Sequence, residues 1–100
     1  MEVIKDIAQL TYLQEVVKLE NTEEPTVKHY SFIGVHPTDA NHLLLLDPST
    51  GNAKKIWHGE LTGGTYYTRV ENDDIIRFKI EYYERRVSQL KSILTNPKKK

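Results

Sequence analysis

The last third of the chain carries the strongest structural signal in the sequence. Apolar side chains recur there at alternating spacings of four and three residues: Ile76, Ile80, Tyr83, Val87, Leu90 and Leu94. Side chains at these spacings lie on one side of an α-helix. The pattern therefore predicts an amphipathic helix from about Asp73 to Leu94, with Asn72 as its N-cap and Pro97 blocking its continuation. These six side chains are called the apolar stripe below.

The apolar stripe needs a surface to cover it, and two interpretations are open. In the first, the helix packs on the chain's own sheet, which is the usual arrangement in a single domain. In the second, its C-terminal part, with Val87, Leu90 and Leu94, pairs with a second chain to form a homodimer. A stripe that extends over about five turns is longer than a small sheet covers, which keeps the second interpretation open.

The preceding part of the chain predicts short antiparallel strands joined by turns. Residues 27–36 are rich in aromatic and β-branched side chains, and residues 42–46, His42 followed by four leucines, predict a short apolar strand. Between that strand and a return strand at 54–61 stands a turn signal with Pro48 and Gly51. A Gly-Gly pair then leads to a last strand at 65–70. Such spacing of strands and turns is typical of a strongly bent sheet or a small barrel.

The N-terminal segment fits two structures. Val3, Ile7 and Leu10 stand at helical spacing, which predicts a short helix from about residue 2 to 10. The β-branched pair Val16 and Val17 then favours a strand. One helix that continues to Leu19 is the alternative.

The order of these elements resembles the Sm-like RNA-binding family over about half of the chain. The residues that carry the resemblance are Leu19, Asn21, Gly34, Asp39, Asn41, Leu43 and Asp47. It implies a small barrel that binds RNA. We therefore predict an α+β fold: a short N-terminal helix, a strongly bent antiparallel sheet or small SH3-like or Sm-like barrel of four to five strands, and a long C-terminal amphipathic helix.

Length and composition narrow the function. One hundred residues suit one domain, which we place at residues 1–95, with a basic tail at 96–100. The formal net charge is zero, which argues against a protein that coats DNA by bulk attraction.

The chain has no cysteine, so disulfides and thiolate catalysis are excluded, and the cytoplasm is the expected location. The longest apolar run, Leu43 to Leu46, is too short to cross a bilayer, so we expect no membrane partner.

The sequence contains no pattern that identifies a catalytic or metal site. His36, Asp39 and His42 lie across one predicted turn, but they lack the fixed spacings of known zinc sites. None of the serines stands in a known nucleophile motif. We therefore expect no catalytic activity, no metal and no cofactor.

The best candidate binding residues lie on either side of the Gly-Gly pair. If Ile56 and Val70 face the core, strand alternation turns four other side chains outward: Lys55, Trp57, Tyr67 and Arg69. Two aromatic rings between two cations form a surface that stacks a base or anchors a protein partner. In the alternative, Trp57 is buried in the core.

Together these observations predict a small non-catalytic binding protein. We expect it to regulate, inhibit or assemble a larger macromolecular partner, most simply another protein. The alternative is an Sm-like or SH3-like protein that binds RNA or single-stranded nucleic acid.

Overall fold

The computed structural model describes residues 1–94, so the predicted basic tail lies outside the described residues. The fold is α+β and consists of an open six-stranded antiparallel sheet and a long C-terminal helix. In chain order the elements are β1 (Glu2–Val3), a 3-10 turn (Ile7–Gln9), β2 (Glu15–Asn21), β3 (Pro25–His36), β4 (Asp39–Asp47), β5 (Asn52–Trp57), α1 (His58–Leu61), β6 (Tyr66–Thr68) and α2 (Asn72–Leu94).

The strands follow the order β1-β6-β2-β3-β4-β5, and each pairs antiparallel with its neighbours. β2 to β5 form consecutive hairpins, as the turn signals predict. β6 does not continue this series, because it returns to the far side of β2 and lies beside β1. A barrel closes only when its two edge strands pair, and β1 and β5 do not. The antiparallel sheet is confirmed, and the barrel alternative is wrong.

The N-terminal segment is not the predicted helix. Residues Glu2–Val3 pair with β6, and the Ile4 N–H then donates to the Tyr66 carbonyl at 3.2 Å. Only one 3-10 turn follows, closed by hydrogen bonds between Asp6 and the residues of that turn. Because Ile4 is fully buried in the core, the segment is stabilised as an edge strand rather than as a helix. The strand predicted around Val16 is confirmed.

The main core lies on one face of the sheet and includes residues from nearly every element, while Val17 and Leu19 of β2 are buried on the opposite face. Its fully buried members include Ile4, Leu43, Leu61 and Tyr66. Ile56 of one edge strand belongs to the same cluster as Ile4 beside the other edge, so the sheet curves around this core. Leu61 enters from α1, where the return strand that we predicted up to residue 61 ends early at Trp57.

A β-bulge interrupts the predicted alternation of β3. Phe32 pairs with Leu45, but the next pair joins Gly34 to Leu44, so Ile33 is the extra residue. Tyr30 and Phe32 before the bulge face the core. A bulge of this kind increases strand twist. Because one residue is inserted, the side chains after it lie on the opposite faces from those that regular alternation predicts.

Helix α2 covers Asn72–Leu94 of the described chain and starts within one residue of the predicted Asp73. The predicted stop at Pro97 lies outside the described residues. It contacts the sheet through β3. The half-buried apolar residues of α2 are Ile75, Phe78 and Tyr82, and the Tyr82 hydroxyl donates a hydrogen bond to the Glu23 carbonyl in the β2–β3 turn. These three residues are called the sheet-facing stripe. At 100° per residue, they lie on the side of the helix away from the apolar stripe.

Asp74 stabilises the first turn of α2. Its carboxylate accepts a hydrogen bond from the Glu71 N–H at 2.9 Å. It also lies 3.4 Å from the Met1 amine and 3.3 Å from the Arg77 guanidinium. The Glu71 hydrogen bond first, and then these two positive charges, hold the pKa of Asp74 below its usual value. The predicted N-cap Asn72 is instead the first helical residue, and Asp74 makes the contact that the third helical residue of a capping box makes with the residue before the helix.

Replacement of Asp74 by asparagine is expected to lower the thermal midpoint at neutral pH. A carboxyl whose folded pKa is depressed contributes stability that is present above the unfolded pKa and is lost as the pH falls through the folded pKa. The difference between wild type and Asp74→Asn should therefore shrink in strong acid. Thermal unfolding followed by circular dichroism checks this. The matched control is Asp73→Asn in the same turn, and equal losses in both variants would contradict the assignment.

Candidate interaction surface

The apolar stripe is exposed along its whole length. Its six side chains retain 48% to 78% of their accessible surface, and no part of residues 1–94 covers them. The described chain measures 59 × 27 × 26 Å, while a helix of 23 residues is about 34 Å long. Because the stripe is exposed, the first interpretation, in which it packs on the chain's own sheet, is wrong. The sheet is contacted by the other side of the helix.

The surface of the stripe is a shallow apolar groove with charged margins. The residues that line it are Ile80, Tyr83, Glu84, Val87, Ser88 and Lys91. One cation, Lys91, one carboxylate, Glu84, and the Ser88 hydroxyl therefore border a row of apolar side chains. Soluble monomers rarely leave so long an apolar row open to water, and such rows mark binding surfaces. An apolar centre with a polar rim is also the usual anatomy of a protein interface.

The structure does not bring the four predicted binding residues together. Lys55 and Trp57 lie on β5, at one edge of the sheet, whereas Tyr67 and Arg69 lie on and just after β6, beside the other edge. Strands β2, β3 and β4 separate the two pairs. Strands that follow each other in sequence often pair, but α1 and the Gly-Gly turn carry the chain across the sheet instead.

Trp57 is exposed, which answers the question that the sequence leaves open. Its side chain retains 59% of its accessible surface. The ring lies against Gly59, where an added Cβ would come within 2.4 Å of the ring atoms. A glycine at this position therefore lets the ring pack closely against the start of α1. Lys55, one side chain along the same face, has its Nζ 3.4 Å from Asp39 Oδ2.

Tyr67 and Arg69 form a second, separate pair. The Tyr67 hydroxyl donates to the Gly64 carbonyl at 2.8 Å, so it also fastens the turn before β6. The Arg69 guanidinium lies 3.0 Å from Glu2 Oε2 on the neighbouring strand. Arg69 has a φ of 55°, a left-handed conformation that bends the chain from β6 towards α2. Both residues thus have structural contacts, and their predicted binding role stays a prediction.

The histidines of the β3–β4 turn do not gather around a common point. The Thr38 N–H donates to His36 Nδ1 at 3.2 Å, whereas His42 Nδ1 lies 2.8 Å from Asp39 Oδ2. The contact with His42 holds the pKa of the Asp39 carboxyl below its usual value. Within residues 1–94, no three histidine or carboxylate side chains are arranged to hold a metal ion.

Sequence reasoning missed the sheet-facing stripe. Ile75, Phe78 and Tyr82 follow each other at spacings of three and four, which is a helical pattern in its own right. The apolar stripe on the same helix is longer and gave the stronger signal, so the second pattern was not recognised. A helix with apolar residues on two sides is typical of an element that contacts two neighbours.

Among residues 1–94, neither helix combines the length and the apolar composition that crossing a bilayer requires. No protein family, curated protein or solved structure that was compared with this chain matches it.

Proposed function

We propose that this chain is a small non-catalytic binding protein that assembles with another protein chain through the apolar stripe of α2. The observation that carries the proposal is the exposure of that stripe, from Ile76 to Leu94, on a helix whose other side is already fixed to the sheet. Burial of such a row removes apolar surface from water, which stabilises a complex by about 25 cal/mol for each Å² of apolar surface buried. Because the helix is preformed, little conformational entropy is lost when a partner covers it.

The sheet offers a second surface for the partner that is to be regulated, inhibited or assembled. Trp57 and Lys55 stand on the edge strand β5, which has one unpaired side. Exposed aromatic rings such as that of Trp57 are among the residue types that most often anchor protein interfaces. In this proposal the helix joins chains and the β5 edge contacts the partner. A reducing compartment suits a chain without cysteine, and we propose the cytoplasm as its location.

The contacts of the two cations favour a protein partner over a nucleic acid. Lys55 lies near Asp39, and Arg69 lies near Glu2. Each cation therefore has a carboxylate beside it, which weakens its attraction for phosphate. A basic surface that follows a nucleic-acid backbone needs several free cations in a row.

Site-specific photocrosslinking tests the proposal. A photoreactive amino acid at Val87, in the middle of the apolar stripe, is expected to give covalent adducts with protein in cells that express the chain. The matched control carries the same amino acid at Glu81, which lies outside both stripes of the helix. Adducts at position 87 and none at position 81 support the proposal. The absence of adducts at position 87 would overturn it.

A further inference from the structure

We propose that the occupant of the apolar stripe is α2 of a second copy, paired in parallel and in register as a short two-stranded coiled coil. The inference rests on the proposed function and names its partner. The stripe alternates spacings of four and three residues without interruption. This average of 3.5 residues defines the heptad repeat of coiled coils. In heptad notation, positions a are Ile80, Val87 and Leu94, and positions d are Ile76, Tyr83 and Leu90.

The residue types at these positions favour two strands. β-branched side chains at a and leucine at d pack best in a parallel dimer. Ile80 and Val87 meet the first condition, and Leu90 meets the second, whereas Leu94 at a and Ile76 at d, at the two ends of the stripe, do not. Tyr83 at the central d position is amphipathic, so its ring can lie in the seam while its hydroxyl reaches water at the rim.

The charges beside the stripe favour the parallel orientation. Positions g and e flank the seam, and in a parallel pair each g residue faces the e residue five positions later on the other helix. Lys79 at g then faces Glu84 of the second copy. Because of the two-fold symmetry, the dimer contains this attraction twice. Arg86 faces Lys91 of the second copy, which is a repulsion at the more exposed end of the helix.

An antiparallel pair with the same overlap has less favourable charges. Opposed helices bring e near e and g near g. Glu84 would then approach Glu84 of the second copy, Arg86 would approach Arg86, and Arg77 would approach Lys91. Each of these contacts joins like charges, which opposes association. The parallel arrangement is the one that contains attractive pairs.

The sheet leaves room for the second helix. The half-buried residues of α2 all come before Tyr83 and lie on the side away from the stripe. Tyr82 fastens that side to the β2–β3 turn through Glu23. The paired segment is under three heptads long, which is short for a coiled coil. We therefore expect a reversible dimer with a dissociation constant in the micromolar range.

Sedimentation equilibrium of the full chain measures this dimer directly. In Glu84→Lys, the two attractions between Lys79 and Glu84 become repulsions, so the dissociation constant should rise about tenfold, the scale that flanking charge pairs reach. Glu81→Lys is the matched control, because it makes the same change outside the seam and should leave the constant unaltered. The double variant Lys79→Glu, Glu84→Lys restores the attractions and should recover the wild-type value. Circular dichroism verifies that every variant is folded.

The possible outcomes separate the steps of the inference. A wild-type chain that stays monomeric at high concentration would overturn the homodimer. A dimer that Glu84→Lys leaves unchanged would overturn the parallel register, because an antiparallel pair exchanges one like-charge contact at position 84 for another. In the crosslinking experiment, adducts of twice the chain mass support the homodimer. Adducts with other proteins alone would leave the proposed function standing and overturn this inference, and no adducts would overturn both.

Discussion

Replacement of Leu43 by alanine is expected to reduce the free energy of unfolding by about 2–5 kcal/mol, the range for truncation of a fully buried leucine. Leu43 is 0% exposed and lies on β4, between β3 and the edge strand β5. It packs in the cluster that also contains Leu45, Ile56 and Leu61. Truncation removes apolar contacts and leaves a cavity that a rigid sheet closes only in part. Urea denaturation at one fixed protein concentration measures the loss.

The matched control is Leu44→Ala. Leu44 is the next residue of the same strand, so its side chain lies on the opposite face of the sheet, where it is half-buried. The same chemical change should cost less than half as much there. Equal losses at the two positions would show that both faces of β4 are equally buried, which contradicts the one-sided burial of this strand.

Local patterns were sufficient to predict the elements that depend on local physics. The spacing of the apolar stripe placed α2 within one residue of its observed start. The turn between β4 and β5 was also predictable, because Asp47 accepts hydrogen bonds from Ser49 and Gly51 adopts a φ of 76°. Each of these features is decided by residues that lie within a few positions of one another.

Long-range pairing was not predictable in the same way. The segment around Ile7 has helical spacing, but pairing of Glu2–Val3 with β6 and burial of Ile4 override it. Likewise, nothing near Gly63 indicates that the chain crosses the sheet before β6. The predicted surface of Lys55, Trp57, Tyr67 and Arg69 required β5 and β6 to be neighbours. Strand order is a property of the whole chain, so alternation within each strand cannot supply it.

The two apolar sides of α2 connect the fold to the proposed function. One side, the sheet-facing stripe, packs against the sheet, and this contact fixes the direction in which the helix leaves the domain. That attachment keeps the other side open for a second helix. In a parallel dimer both sheets stand at the same end of the coiled coil. Two copies of the β5 edge, each with Trp57, would then lie at that end of the dimer.

Replacement of Phe78 by alanine tests this division of α2. Phe78 is half-buried in the sheet-facing stripe, so its truncation should lower the free energy of unfolding by about 1–2 kcal/mol, less than the 3–5 kcal/mol of a fully buried phenylalanine. The measurement is urea denaturation at a protein concentration low enough to keep the chain monomeric, because association would add its own stabilisation.

Ile80→Ala is the control for Phe78→Ala, since the two residues stand two positions apart on different sides of the same helix. Ile80 retains 48% of its accessible surface, so in the monomer its truncation should change the free energy of unfolding by no more than about 0.5 kcal/mol. At high protein concentration, where the chain dimerises, the variant with the larger effect on the concentration dependence of the midpoint should be Ile80→Ala. Ile80→Ala should then reduce the concentration dependence of the midpoint, while Phe78→Ala leaves it unchanged. A large cost for Ile80→Ala in the monomer would mean that the apolar stripe packs on the sheet after all.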